Sequence, residues 1–410
     1  MSVADLALQR NKYKHLSDDE WRWFLQQVEG RERTADKLPT FAAIDDWWYP
    51  VRLSCEQCSS ELTAKYKAEI LQAKPVLQRS GLTAERSYSP KDGQSTAVDL
   101  TGGYGVDTYF LSEVFDRTDY VEQNAELCRI AEHNFSLQHS AISIHNSSAE
   151  EFLQAAGQYD LIFLDPARRD SHGGKVFRLE DCTPNVVELL PTLLAHGKKL
   201  MIKLSPMLDL TQALSRLSTL DSRLTWDVYV VAIKNEVKEV LLLSRPLTTN
   251  PLTTNPSITA IDLTKKDQAF IFTKEEESNS EAVLQRSDPT AQRSYSASGQ
   301  EKHPLFLYEP NAAILKAGAY KLVAQRFGLT KLDVNTHLYV SDTLVPNFPG
   351  RVWQINGEGA RGKQANVLVR NYPLTPEQLK KKLHLRDGGT AFVIGCRVAG
   401  KPTLFYATRV

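Results

Sequence analysis

Three groups of residues in this chain have the types and spacing to do chemistry. Asp99-Leu100-Thr101-Gly102-Gly103-Tyr104-Gly105 sets an acid before a glycine-rich turn, where a backbone without Cβ atoms can approach a ligand closely. Glu122 ends a short apolar run, Tyr120-Val121-Glu122, 23 residues after Asp99, and a carboxylate at such a tip can accept both hydrogen bonds of a ribose diol. Asp165-Pro166-Ala167-Arg168-Arg169 follows a third apolar run, Tyr159 to Leu164, and puts a carboxylate and two guanidiniums where an open α/β sheet binds ligands. The arginines suit a phosphate held bidentately, or ion pairs with Asp170, Glu180 or Asp181. Cys55-Glu56-Gln57-Cys58 has metal-ligand spacing, but Cys128, Cys182 and Cys396 supply no second pair, so the thiols read as structural and no metal is expected.

These residues need a scaffold, and the hydrophobic pattern supplies one. Thr96 to Leu100 reads as a buried parallel strand, and Val106 to Phe115 as the helix after the glycine turn. Beyond Asp165 come a helix from Asn185 to Ala195, a strand from Lys198 to Leu204 and a helix around Leu210 to Leu217. Two last strands, Trp226 to Ile233 and Val237 to Leu243, are joined at Lys234-Asn235-Glu236. The fold class is α/β: a seven-stranded Rossmann-like sheet, a helical N-terminal extension and a smaller α+β C-terminal module.

The expected organisation is an extension over residues 1–75, an inserted loop over 76–95, the sheet domain over 96–245, a linker with repeats over 246–303 and the module over 304–410. In the extension, Ser17 to Glu20 is a helix start, and Leu53 to Leu71 reads as one helix capped by Ser54 with Gln57. The aromatic cluster Trp47-Trp48-Tyr49 reads as a docking surface for the sheet. Segments near 76–89 and 283–296 repeat each other, and Pro246 to Asn250 repeats as Pro251 to Asn255; both read as inserted loops. In the module, Ala312 to Phe327 reads as one helix and Thr375 to Leu383 as another.

The order Asp-Leu-x-x-Gly-x-Gly, then an acid, then Asp-Pro-x-Arg resembles the class I S-adenosylmethionine-dependent methyltransferases, most closely their RNA-modifying branch. The chain is identified as similar to a Bacteroidetes-type family that carries ferredoxin-like and THUMP-like modules at the C-terminus. That resemblance implies S-adenosyl-L-methionine as cofactor, held by Asp99, Thr101, Gly103, Gly105 and Glu122, with Ser148 beside the adenine and Lys67 and Thr63 near the methionine carboxylate. It places catalysis at Asp165, Pro166 and Arg168, with Asp165 accepting an amino proton, and substrate contacts at Arg169, Lys380, Lys381 and Lys382. Three positions depart from the pattern: Thr101 stands where glycine is common, Ser148 where an aspartate reads adenine, and Arg168 where an aromatic closes amino-methylating motifs. Lys203-Leu204-Ser205-Pro206 carries no cysteine, which argues against methylation of a pyrimidine carbon.

Composition sets the remaining bounds. The 410 residues are 42% hydrophobic and 24% charged, with no apolar run of membrane-spanning length and no secretory leader, so a cytoplasmic location is expected. Net charge is zero but uneven: residues 96–245 hold 14 Lys and Arg against 21 Asp and Glu, whereas residues 351–410 hold 11 against 3. A basic module beside an acidic one points to RNA, tRNA or rRNA, as partner; the plainer reading of Lys380 to Lys382 is a solvated helix face. The alternatives are methyl transfer to a protein or small molecule, and RNA binding without catalysis. Nothing in the sequence assigns an oligomeric state.

Overall fold

The computed structural model describes residues 3–72, 94–138, 141–168, 178–246, 256–284, 305–356 and 364–410. The repeat at 76–89, its second copy beyond Leu284, the tandem repeat over 247–255 and Arg169 lie outside the described residues, as does the side chain of Arg168. The chain divides into two compact units, Met1–Trp226 with Leu241–Pro246, and Asp227–Val240 with Leu247–Val410.

In the first unit five strands run parallel: β1 (Thr96–Asp99), β2 (Arg117–Glu122), β3 (Ile142–Asn146), β4 (Leu161–Leu164) and β5 (Leu200–Leu204). Their order is β3-β2-β1-β4-β5. Ala97, Val98, Leu161 to Leu164 and Leu200 to Ile202 are fully buried, as expected for central parallel strands covered on both faces. Parallel pairing puts the carboxyl ends of β1, β2 and β4 on one edge, and Asp99, Glu122 and Asp165 therefore share it.

Eight helices of this unit bear on the site: α1 (Asp18–Thr34), α2 (Arg52–Gln57), α3 (Glu61–Gln72), α4 (Val106–Leu111), α5 (Ala125–Ser136), α6 (Ala149–Ala155), α7 (Val186–His196) and α8 (Leu210–Leu220). Ser17 caps α1 in a box with Glu20, as its sequence predicts. The single helix expected over 53–71 is instead two, α2 and α3. Cys58 is extended, and the Ser60 hydroxyl accepts the Thr63 N–H at 3.2 Å to start α3, so paired serines compete with the helix ladder and break it. Ser54 lies inside α2 and caps nothing; Val51 precedes that helix without a side-chain cap. The helix after the glycine turn ends at Leu111, a turn before the expected Phe115. Trp47 and Tyr49 are buried, with the Trp47 ring 4.2 Å from Phe41 and its Nε1 donating to the Tyr104 hydroxyl at 3.0 Å, so the aromatic cluster docks as expected.

The boundary between the units runs through a hairpin, β6 (Leu224–Ile233) and β7 (Glu236–Pro246). Lys234 and Asn235 turn it with positive φ, and Asp262 accepts both of their N–H groups. The sheet does not stop at this hairpin. In the second unit β8 (Ser257–Asp262) pairs parallel with β6, and β9 (Phe270–Thr273) pairs antiparallel with β8, so the sheet has nine strands where seven were expected. Ile258 to Asp262 are buried in a row, and Phe270 and Phe272 are buried on either side of an exposed Ile271, which gives β8 and β9 the apolar surface that brings them into the sheet.

The second unit also holds a seven-stranded sheet. Its strands are β10 (Leu305–Pro310), β11 (Thr330–Asp333), β12 (Thr336–Ser341), β13 (Gly350–Ile355), β14 (Asn366–Arg370), β15 (Ala391–Val398) and β16 (Lys401–Arg409), in the order β11-β12-β10-β13-β16-β15-β14. The one helix expected over 312–327 is two, α9 (Ala312–Ala317) and α10 (Tyr320–Phe327), because Gly318 ends the first with φ +84°. Helix α11 (Pro376–Lys382) is capped by Thr375 with Gln378. Among the described residues no helix is long and apolar enough to cross a membrane.

Candidate active site

The glycine corner is built by exclusion of side chains. A Cβ on Gly102 would lie 2.2 Å from the Tyr120 ring, and Gly105 has φ +82° with room for none against Phe135. Tyr120 seals the turn by donating its hydroxyl to the Gly103 carbonyl at 2.7 Å. Glu122 reaches the corner from the end of β2: one oxygen accepts the Gly103 N–H at 2.9 Å and the other the Asn124 N–H at 2.8 Å. Each oxygen keeps a further lone pair for a ligand hydroxyl.

Asp99 points inward. It is 1% exposed and accepts from the Thr101 N–H at 3.0 Å, the Thr101 hydroxyl at 3.3 Å and the Thr108 hydroxyl at 2.7 Å. Burial pushes its carboxyl up to about 7, with Asp107 and Asp165 adding to the rise against the Thr108 and Thr101 hydrogen bonds. Thr101 has a second bond: its hydroxyl oxygen accepts the Asp165 N–H at 2.7 Å. The ladder already joins the two strand ends, with the Leu100 N–H donating to the Phe163 carbonyl at 3.1 Å, and Thr101, this departure from the family pattern, adds a side-chain tie to Asp165 itself.

Behind Asp165 lies a buried ionic chain. Lys67 is fully buried and pairs with Asp107 at 3.0 Å. Ser59, at the break between α2 and α3, donates to Asp107 at 2.6 Å and accepts from Lys203 at 3.0 Å. Lys203 in turn pairs with Asp165 and stands 3.8 Å from Asp107. Burial pushes the Asp107 carboxyl up, but the Lys67 and Lys203 ammoniums and the Ser59 bond outweigh it and hold the group below the usual carboxylate range.

The structure thus brings together Asp99, Thr101, Gly103, Gly105, Glu122 and Asp165, with Pro166 directly after. Lys67 sits beneath them on Asp107. The Ser148 hydroxyl caps α6, accepting the Glu151 N–H at 3.2 Å in a capping box. The backbone of Ala167 and Arg168 pairs antiparallel with Cys182 and Thr183. Glu180, one candidate partner for the arginines, is bound by Arg216 at 2.7 Å instead. Lys380, Lys381 and Lys382 end α11 in the second unit, where Lys380 pairs with Asp387. Cys55 is buried and its thiol is pushed up to about 12 by burial, and no group of three or more His, Cys, Asp or Glu among the described residues could hold a metal ion.

Sequence reasoning missed Ser59, Asp107, Thr108 and Lys203. One signal was available: Lys203 interrupts the otherwise apolar run Leu200-Met201-Ile202-Lys203-Leu204, and a charge inside a buried strand needs a partner.

Parallel strands in the order β3-β2-β1-β4-β5, with a glycine corner after β1 and an acid after β2, define a class I methyltransferase architecture. Residues 306–349 match the model of a ferredoxin-like domain, and residues 354–409 that of a THUMP domain-like family. A crystal structure from Porphyromonas gingivalis W83, assigned as a methyltransferase, is 30% identical to the chain, with a TM-score of 0.74 over 96% of this chain and 92% of that one. Two uncharacterised S-adenosylmethionine-dependent methyltransferases of Mycobacterium tuberculosis, from strains CDC 1551 and H37Rv, are each 23% identical over 259 residues. Those matches cover 60% of this chain and 63% of the relatives, under two thirds of their length. The chain belongs to the family of S-adenosylmethionine-dependent methyltransferases that carry ferredoxin-like and THUMP-like C-terminal domains.

Proposed function

We propose that this chain transfers a methyl group from S-adenosyl-L-methionine to a base nitrogen of RNA, tRNA or rRNA. The observation that carries the reading is the Thr101 bridge, which fixes Asp165 against the corner that would hold the methyl donor. When bound, the cofactor supplies an electrophilic methyl on a sulfonium. The residues fit it: Glu122 offers carboxylate lone pairs to the ribose, and Gly103 and Gly105 let the backbone come close. Asp99 shapes the corner from beneath, and Asp165 accepts the proton of the acceptor nitrogen. Methyl transfer asks mainly for alignment and exclusion of water, which a rigid, tied corner provides. The RNA part rests on the match to a THUMP domain-like family over residues 354–409 and on the basic excess of residues 351–410. In this reading Lys381 and Lys382 meet phosphates, and Arg168 and Arg169 contact the acceptor.

The test is transfer of labelled methyl to separated tRNA, rRNA, protein and small-molecule fractions from cells lacking the protein. Label in one RNA fraction, lost in Asp165→Ala, is the expected result. Label confined to protein or small molecules overturns the RNA assignment, and failure to bind S-adenosylmethionine overturns the methyl-transfer reading itself.

A further inference from the structure

We infer that the Asp165–Lys203 pair restricts the acceptor to an electrically neutral N–H group, such as a nucleobase amino or lactam nitrogen, and disfavours a cationic amine such as a lysine side chain. This inference rests on Asp165 being the proton acceptor.

Asp165 is a half-exposed carboxylate backed by buried ions. Two carboxylates, Asp107 and Asp165, stand against two ammoniums, Lys67 and Lys203, joined through Ser59. Their formal charges cancel, and Asp99 behind Thr101, its carboxyl pushed up to about 7 by burial, adds no charge below that value. Side-chain exposure falls from 37% at Asp165 to 11% at Lys203, 9% at Asp107 and none at Lys67, so only Asp165 faces outward. Lys203 binds Oδ2 of Asp165, and Oδ1 has no partner among the described residues. An acceptor therefore meets one open carboxylate oxygen whose charge is already balanced from behind. Bringing an ammonium there leaves a net positive charge against the buried ions behind Asp165, whereas a neutral N–H adds none.

The proton balance favours the same acceptor. In the transfer the N–H bond breaks and its proton goes to Asp165, the nitrogen pair forms the N–CH3 bond, and the pair of the broken C–S bond stays on sulfur. A positive donor and a negative carboxylate are neutralised together, and Lys203 stays paired with Asp107. A cationic amine has no free pair until it has lost a proton, so that proton would have to reach Asp165 before transfer begins.

Equilibrium binding to the full chain, read by nuclear magnetic resonance, tests this with guanosine and adenosine as neutral probes and Nα-acetyl-lysine methylamide as the cationic one. The wild-type chain is expected to bind a nucleoside at least about tenfold more tightly than the amine. Lys203→Met, which leaves the cluster with a net negative charge, should move that ratio by about tenfold toward the amine, and Lys203→Arg should leave it in place. Equal binding of amine and nucleosides by the wild type, binding of neither, or an unmoved ratio in folded Lys203→Met overturns the inference. The wild-type comparison stands even where Lys203→Met fails to fold. S-adenosylmethionine binding, measured on the same samples, separates the two readings: its absence defeats methyl transfer itself, whereas its presence with an unselective site defeats only the inference.

Discussion

The two units treat buried acids differently. In the second unit Glu309, 5% exposed as a side chain, is closed off by Arg370 and by Arg351 at 3.5 Å. Glu277 there, half-buried, accepts the N–H groups of Tyr320, Lys321 and Leu322 at 3.1, 2.9 and 2.9 Å, which uses it to start a helix. The first unit has closed acids of its own, Asp119 on Arg117 and the Tyr159 hydroxyl and Glu61 on Lys65 and Thr40. There, however, Lys67, Asp107, Lys203 and Asp165 also form a line that ends at a carboxylate open to the outside, Asp165. Closed pairs build a scaffold. A line with one open end presents a reactive group while its other members hold that group in place. The contrast argues that chemistry resides in the first unit and that the second contributes surface.

The sharpest way to break the comparison is to remove one acid from each unit. Asp107→Ala takes the Asp107 carboxylate away from the fully buried Lys67 and should cost about 3–5 kcal/mol in urea unfolding. Glu309→Ala should cost less, about 1–3 kcal/mol, because the side chains of Arg370 and Arg351 are 42% and 33% exposed and rehydrate. An equal or larger loss at Glu309 would show that the two units differ in geometry alone.

Thr101→Val tests whether the open end needs its tie. The change removes the hydroxyl that serves both Asp99 and Asp165, at about 1–3 kcal/mol of stability. Displacement of Asp165 from the corner should lower methyl transfer by up to about a hundredfold, with Thr101→Ser restoring most of it. Transfer unchanged in Thr101→Val would detach Asp165 from the corner.

A smaller effect separates Asp99 from its neighbours. Its folded carboxyl titrates at about 7 against an ordinary 3.8, so between those values the folded chain holds a proton that the unfolded chain has lost. This contribution to stability is fully present below the lower value and is lost as pH rises through the upper one. Asp99→Asn should therefore flatten that part of the pH profile of thermal unfolding. A slope of the same steepness in the variant would place its origin in another group.

Much of this was legible in the sequence, for identifiable reasons. The glycine corner, Glu122 and Asp165 could be found because strand ends and glycine turns have local signatures. The closing hairpin was visible in two apolar runs. Lys203 and Asp107 escaped because their partners, Lys67 on α3, Ser59 at the α2–α3 break and Asp165 after β4, lie far away in sequence, and no local pattern pairs them. The break itself turned on Ser59-Ser60, two residues whose side chains act as helix stops only when the backbone around them is already turned. Strands β8 and β9 fall in the stretch read as a linker, and their addition to the sheet escaped because register with β6 is a tertiary fact.

The last difference between the units concerns surface rather than interior. Lys381 and Lys382 are exposed at the end of α11, and Lys380 is half-buried on Asp387, so the three lysines are not equivalent. If the second unit contributes surface to RNA, each phosphate contact releases counterions and adds close to one unit to the slope of log K against log salt. Lys381→Glu with Lys382→Glu should therefore flatten the slope of tRNA binding by about two units, while a Lys380→Gln change, which removes a charge already paired, should flatten it by less than one. Folding should be untouched, because both outer side chains point into water. A slope unmoved by the double reversal would make these lysines a solvated helix face, and the RNA contact would then have to be sought in the first unit beside Asp165.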